Sequence, residues 1–173
     1  YNFIMEKFIK YKTFTFRAYP NKSQTNLIYL TFIMCRYMFN TLLSIELENL
    51  KKYNNEVEKC LKSYKYFDDK KFAKEHKIPK ISKLKNSNEN YKKVDSLAIC
   101  AEYSNLVRGM ELFYRGKSNL PKFKGRNDKH SYTTSQVNNN IRIVNNKIRL
   151  PKVGLLRLEG CVKFQVISKL NVL

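Results

Sequence analysis

The sequence is poor in acid. Fourteen Asp and Glu stand against 34 Lys and Arg, a net charge of +20 over 173 residues. A balance that one-sided repels itself and implies a polyanionic partner, nucleic acid first and an anionic membrane second. An AT-rich coding sequence would enrich Lys, Asn, Ile and Tyr through codon bias. It would not explain why acidic residues fail to keep pace. Long apolar runs are missing too: none approaches the roughly 18–20 residues of a membrane span. The start has no cleavable signal pattern. A cytoplasmic protein is expected, nucleoid-associated in a bacterial host, with no membrane partner. The chain begins at Tyr1, and Met5 is the expected natural start.

Catalytic signatures are equally scarce. The cysteines, Cys35, Cys60, Cys100 and Cys161, are widely spaced and form no CxxC pair. That pattern indicates separate reduced thiols rather than a zinc site or a disulfide framework. There is no GxxxxGKS/T phosphate loop and no nucleophile elbow. Two-metal phosphodiester cleavage needs converging carboxylates. Asp68-Asp69 lies among lysines as solvated charge, and Asp95 is better placed as a helix cap. His76 and His130 have no cysteine or acidic partner at metal-ligand spacing. No catalytic or metal site, and no cofactor, is expected in this chain.

What is present is a 43% hydrophobic composition, enough for a buried core. Residues 11 to 17, YKTFTFR, alternate and predict a strand with Phe14 and Phe16 on one face. Pro20 stops it. Asn21 and Gln24 then form a capping-box pattern. Leu27, Leu30, Met34, Tyr37, Met38, Leu42 and Ile45 predict a long helix. A second line, Ile28, Phe32, Cys35 and Phe39, predicts packing on two sides, with Arg36 an exception in apolar surroundings. From Lys51 to Lys93 the pattern weakens. Tyr64 to Phe72 suggests a short helical segment, Pro79 interrupts, and KNSNEN is expected as a loop. A second strong helix starts at Asp95 or Ser96, with Leu97, Cys100, Tyr103, Leu106, Val107, Met110, Phe113 and Tyr114 as its apolar face. Gly116 ends it.

After the basic connector KSNLPKFKGRNDKH the period becomes alternating: SYTTSQV, NNNIRIVNNKIRLPK, VGLLRLEG and CVKFQVIS. In the second of these, Asn145-Asn146 is a two-residue turn signal. Folding about it sets Val144 opposite Lys147, Ile143 opposite Ile148 and Arg142 opposite Arg149. Ile141, Ile143, Ile148 and Leu150 share a face that can be buried. The other face opposes two arginines, which costs a few tenths of a kcal/mol unless something anionic covers it. The connector adds Lys122, Lys124, Arg126, Lys129 and His130, with Phe123 and Tyr132 interleaved. Cations neutralise phosphates, and rings stack on unpaired bases. Phe123 is expected in the core.

Four blocks in order then resemble the first half of the TnpB (OrfB) family of transposon-encoded RNA-guided nucleases. They are FRAYPNKSQ, CRYMFNTLL, VDSLAICAEYSNLVRGMELFYRG, and LPKFKGRNDKHSYTT with NNNIRIVNNKIRLPKVG. The resemblance runs from about Lys12 to about Ser168. It implies an α+β fold in which a wedge-like β-barrel, incomplete at its C-terminal side, carries an inserted α-helical recognition domain. The implied boundaries are 5–20 and 119–173 for the wedge and 21–118 for the insert.

The family's nuclease domain, with its metal and zinc ligands, would lie beyond this chain, which would bind without cutting. The resemblance implies guide RNA from the transposon end as partner, together with double-stranded DNA bearing a short target-adjacent motif, bound by a monomer. By matched position it adds Tyr66, Lys70, Ser96, Cys100 and Asn138 to the binding residues. At Cys100 relatives carry an amide that can pair with adenine. At Ser96 a lysine is replaced by a hydroxyl. With Arg36 and the connector and hairpin cations, these make the candidate interface. The alternatives are a basic RNA- or DNA-binding protein without a guide, and a helix-turn-helix transposase DNA-binding domain. An exposed barrel edge would make the protein poorly soluble without RNA.

Overall fold

A computed structural model describes residues 14–159 and 169–172. The expected strand CVKFQVIS falls on residues 161–168, outside the described ones, as do the first three residues of YKTFTFR.

The first helix, α1, spans Lys22–Lys62. Asn21 Oδ1 accepts the Gln24 amide at 2.9 Å, and Gln24 Oε1 accepts the Asn21 amide at 3.0 Å, so the capping box is complete. The helix runs well past Ile45. Residues 21–78 contain neither Gly nor Pro, and a Glu58–Lys62 pair at 2.6 Å supports its last turn. By length and composition α1 could cross a bilayer, a property that its apolar run alone did not suggest. Here its buried side chains, including Met34, Met38, Leu42 and Leu43, lie in the main core. Burying each such side chain contributes about 1.5–3 kcal/mol.

Three short helices follow: α2 (Asp69–Glu75), α3 (Ile81–Asn86) and α4 (Asn90–Lys93). KNSNEN is therefore not simply a loop, since its first two residues finish α3 and its last begins α4. Helix α5 spans Ser96–Tyr114 and packs against α1. Asp95 caps it, accepting the Leu97 amide at 2.9 Å. Its buried positions are Ala98, Ile99, Glu102, Leu106 and Met110. The buried face is turned from the expected one, because Glu102 is taken inside by a lysine partner.

The strands are β1 (Ala18–Tyr19), β2 (Tyr132–Ser135), β3 (Arg142–Val144), β4 (Lys147–Leu150), β5 (Gly154–Leu158) and β6 (Lys169–Val172). β1 lies later than the YKTFTFR stretch. Phe14 and Phe16 precede it, their rings stacked at 6.4 Å. One antiparallel sheet has the order β1-β5-β4-β3, and a second pairs β2 with β6. The first strand thus pairs with a late one, Ala18 opposite Leu158 and Tyr19 opposite Arg157. The hairpin register is as expected, with Arg142 opposite Arg149, Ile143 opposite Ile148 and Val144 opposite Lys147. Asn145 and Asn146 both take positive φ, 48° and 58°, the turn that two asparagines tolerate.

Two apolar clusters result. One joins α1, α5, Tyr91, Val94 and Tyr132. The other lies under the four-stranded sheet, with Ile141, Ile148, Leu150, Val153, Leu156 and Leu158. Ile28 and Val172 touch both, so the start of α1 links helices to sheet. Gln24 tightens that link: its side-chain amide also donates to the carbonyls of Val153 and Leu155, at 3.3 and 2.9 Å.

Candidate nucleic-acid interface

Alternation along β3, β4 and β5 sends Ile148, Leu150, Leu156 and Leu158 inward. The residues between them face out. Register places them in two rows across the sheet. One row is Tyr19, Arg157, Lys147 and Val144; the other is Leu155, Arg149 and Arg142. All seven are exposed. Four cations share this face with a tyrosine and two aliphatic side chains, and no carboxylate stands in either row. Among the described residues none of the four is in an ion pair. Arg142, Lys147 and Arg149 were legible in the hairpin. Arg157 was not, because its place in the row depends on the β4–β5 register.

The connector is divided. Lys122, Arg126 and Lys129 are exposed. Lys124 is not free for phosphate. Its ammonium meets the buried Glu102 carboxylate at 2.5 Å and sits 4.4 Å over the Phe39 ring. Tyr132 is 2% exposed and belongs to the core; burial, then Asp95, then Cys35 push its phenol pKa up. It cannot stack on a base from there. Phe123, expected inside, is 53% exposed, because Pro121 lies against α5 at Gly109 and Lys124 takes the inward position. His130 is wedged against the rings of Tyr29 and Phe32, at 5.6 and 5.7 Å. Arg36 donates to the Gly125 carbonyl at 3.1 Å. It lines a cleft of about 270 Å³ together with Phe32, Lys124, Asp128, Lys129 and His130. Cys35 also lines the cleft; burial foremost pushes its thiol up to about 12, with the carboxylate of Glu102 adding to the effect and Lys124 opposing it. A thiol raised that far is protonated near neutral pH, the less nucleophilic form.

Ser96 and Cys100 lie one turn apart on α5, and the structure adds a residue that spacing did not reveal. Lys85 donates to the Ser96 hydroxyl at 2.5 Å and reaches Cys100 Sγ at 3.6 Å. A lysine is thus present at this spot after all, supplied by α3. Tyr66 is 88% exposed in the segment joining α1 to α2, and Lys70 is exposed in the first turn of α2. Asp68, expected as plain solvated charge, caps α2 through the Lys71 amide, and Asp69 accepts the Tyr53 hydroxyl. Asn138 is exposed at φ 49°, at the tip of the turn from β2 to β3. Asn140 and Gln136 pin that turn. Among the described residues, no hydrogen bond joins Asn138 to Ser96, Cys100 or Tyr66. Among them, too, no group of three or more His, Cys, Asp or Glu is placed to hold a metal ion.

Residues 5–55 match the family model for the helix-turn-helix domain of IS605 OrfB proteins. The match takes in β1 and most of α1; the connector, the hairpin and α5 lie outside it. Its described part, 14–55, contains a single unbroken stretch of helix. A comparison with curated proteins finds no match.

Proposed function

We propose, from the premise that residues 5–55 carry the OrfB helix-turn-helix domain, that this chain is a nucleic-acid-binding module of a transposon-associated protein. It holds the sugar-phosphate backbone of a structured guide RNA on the outer face of its four-stranded sheet. It presents α5 and the α1–α2 segment to duplex DNA beside the target. The two sheets would belong to a wedge-like barrel (5–20 and 119–173), and the helices to a recognition insert (21–118). The chain would act in the cytoplasm as a monomer, binding without cutting.

The observation that carries this reading is the exposed cationic face of Arg142, Lys147, Arg149 and Arg157, none of them in an ion pair among the described residues. In the free protein Arg142 and Arg149 repel. Against phosphate the same arrangement becomes attractive and releases counterions. A second reading, a helix-turn-helix that inserts into duplex DNA, is favoured by the family description. Within 14–55, however, the unbroken helix offers no turn between two helices.

Filter binding across a salt series tests the proposal. Replacing the four cations by Gln should flatten the slope of log affinity against log salt by about 3. An unchanged slope would remove the sheet face from the interface. Transposon-end RNA should outcompete bulk tRNA at matched salt, and equal affinity would remove the guide. DNA hydrolysis by the purified chain with magnesium would overturn the binding-only assignment.

A further inference from the structure

The two long helices end in the same way. At the end of α5 the Gly116 amide donates to the Phe113 carbonyl at 2.9 Å, and the Lys117 amide donates to Leu112 at 2.8 Å. At the end of α1 the Tyr64 amide donates to Leu61 at 3.3 Å, and the Lys65 amide to Cys60 at 2.9 Å. Both are Schellman terminations, which require a left-handed residue just past the cap. Gly116 has φ 67° and Tyr64 has φ 52°. Glycine takes that conformation without steric cost. A β-carbon does not, and for a bulky side chain it is a clear outlier.

The strain at Tyr64 is not offset by packing. Its side chain is 98% exposed, and Leu61 beside it is 71% exposed. Among the described residues, the other positive-φ positions outside glycine are four asparagines, which tolerate the conformation, and Lys152. Around Tyr64 the chain carries Lys59, Lys62, Lys65, Lys70 and Lys71. Three acids stand among them: Glu58 pairs with Lys62 at 2.6 Å, Asp68 accepts the Lys71 amide and Asp69 accepts the Tyr53 hydroxyl, so residues 58–71 keep a surplus of two positive charges. A ring held out into water at a strained position, amid lysines, is suited to stacking on a base whose backbone those lysines attract.

We propose that Tyr64 is a stacking platform for an unpaired base of a bound RNA or DNA strand, with Tyr66 presenting a second exposed ring two residues on. This rests on the nucleic-acid reading above but concerns the opposite kind of contact, a base rather than phosphate. The ring stands 98% exposed just past the end of α1, and the strained backbone beneath it is retained for that contact.

The sequence contains no tryptophan, so Tyr64→Trp creates a lone indole reporter. The full-length variant is titrated with end-labelled oligo(dT) or oligo(U) of about 12 nucleotides. The expected result is saturable quenching of the indole that tracks the anisotropy of the oligomer. A duplex of the same length can approach this segment but offers no unpaired base, so it should quench far less, and heparin should leave the emission unchanged. In parallel, Tyr64→Gly should keep or raise the thermal midpoint while weakening oligomer affinity about tenfold, and Tyr64→Phe should bind like the wild type.

Binding by anisotropy without quenching overturns the platform and leaves the sheet-face reading intact. Equal quenching by duplex or heparin overturns it in favour of a backbone contact. Quenching that depends on protein concentration alone overturns it in favour of a second copy of this chain. Undiminished binding by Tyr64→Gly also overturns it. If the wild type binds no nucleic acid at all, the broader reading falls and this one with it.

Discussion

The carboxamide of Asn40 donates to the Lys124 carbonyl at 3.0 Å and accepts the Lys124 amide at 2.9 Å. One α1 side chain thereby satisfies both backbone groups of a residue 84 positions away. One turn earlier on α1, Arg36 donates to Gly125. The Gly125 amide in turn donates to Asp128. The connector is laid on α1 by these bonds, and its exposed cations Lys122, Arg126 and Lys129 are displayed as a consequence.

Replacing Asn40 by Ala should therefore act at a distance. Two hydrogen bonds are lost and two partly buried backbone groups are left unpaired, costing about 2 kcal/mol. The thermal midpoint should fall by about 4–8 °C. Asn40→Asp keeps the acceptor for the Lys124 amide but loses the donor to its carbonyl, and should fall between. Hydrogen exchange at the Lys124 amide checks the mechanism: it should speed up sharply in Asn40→Ala and little in Asn40→Asp.

Lys124 was an expected phosphate contact, and its pairing with Glu102 assigns it to the fold instead. Breaking the pair at Glu102 leaves an ammonium over the Phe39 ring without its counter-charge. Because Lys124 remains partly exposed, Glu102→Ala should cost about 1–3 kcal/mol, below the full penalty for a buried pair. Lys124→Met should lower stability too, and the double variant should be more stable than the sum of the singles implies. Were Lys124 a phosphate ligand, Lys124→Met would change the salt slope of binding by about one. The expected change is none.

The elements that showed most clearly in the sequence were those specified locally. Asn21 and Gln24, Asp95, Gly116 and the Asn145-Asn146 turn each fix their conformation within three or four residues. The hairpin register followed from its turn. What stayed hidden depended on distant partners. Glu102 is on the buried side of α5 only because Lys124 arrives to meet it. Tyr132 is in the core because β2 crosses α5 and Phe32. Arg157 joins the cationic face through pairing with Lys147, and Lys85 reaches Ser96 from another helix. The long reach of α1 into a lysine-rich stretch was also masked. Its last turns have little apolar periodicity and stand on the absence of helix breakers.

Glu46 offers a pH test. It is buried on α1, and the Tyr114 hydroxyl donates to it at 3.4 Å. Burial raises its carboxyl pKa, and the Tyr114 bond opposes the rise only in part. A raised value means that the folded state holds the proton more firmly than the unfolded chain. The contribution to stability is therefore full below the ordinary carboxylate range and lost as pH rises through the folded value. Glu46→Gln, which is neutral throughout, should match the wild type near pH 4 and exceed its thermal midpoint near pH 7. A difference that shrinks toward neutral pH would contradict this.

The opposed arginines of the hairpin give the sharpest separation of stability from binding. Arg142→Glu converts a repelling cross-strand pair into an attracting one. The free protein should gain about 0.5–1 kcal/mol, or about 1–4 °C in its midpoint. Nucleic-acid affinity at low salt should fall by tenfold or more, since a phosphate contact becomes a repulsion. Reversing both residues restores a like-charge pair, so the double variant should lose the gained stability and bind still more weakly. If Arg142 and Arg149 were only tolerated on an idle surface, stability would respond in this order while affinity would not. The joint response of melting and salt-dependent binding in the single and double variants therefore decides whether the outer face of the sheet is the one that meets phosphate.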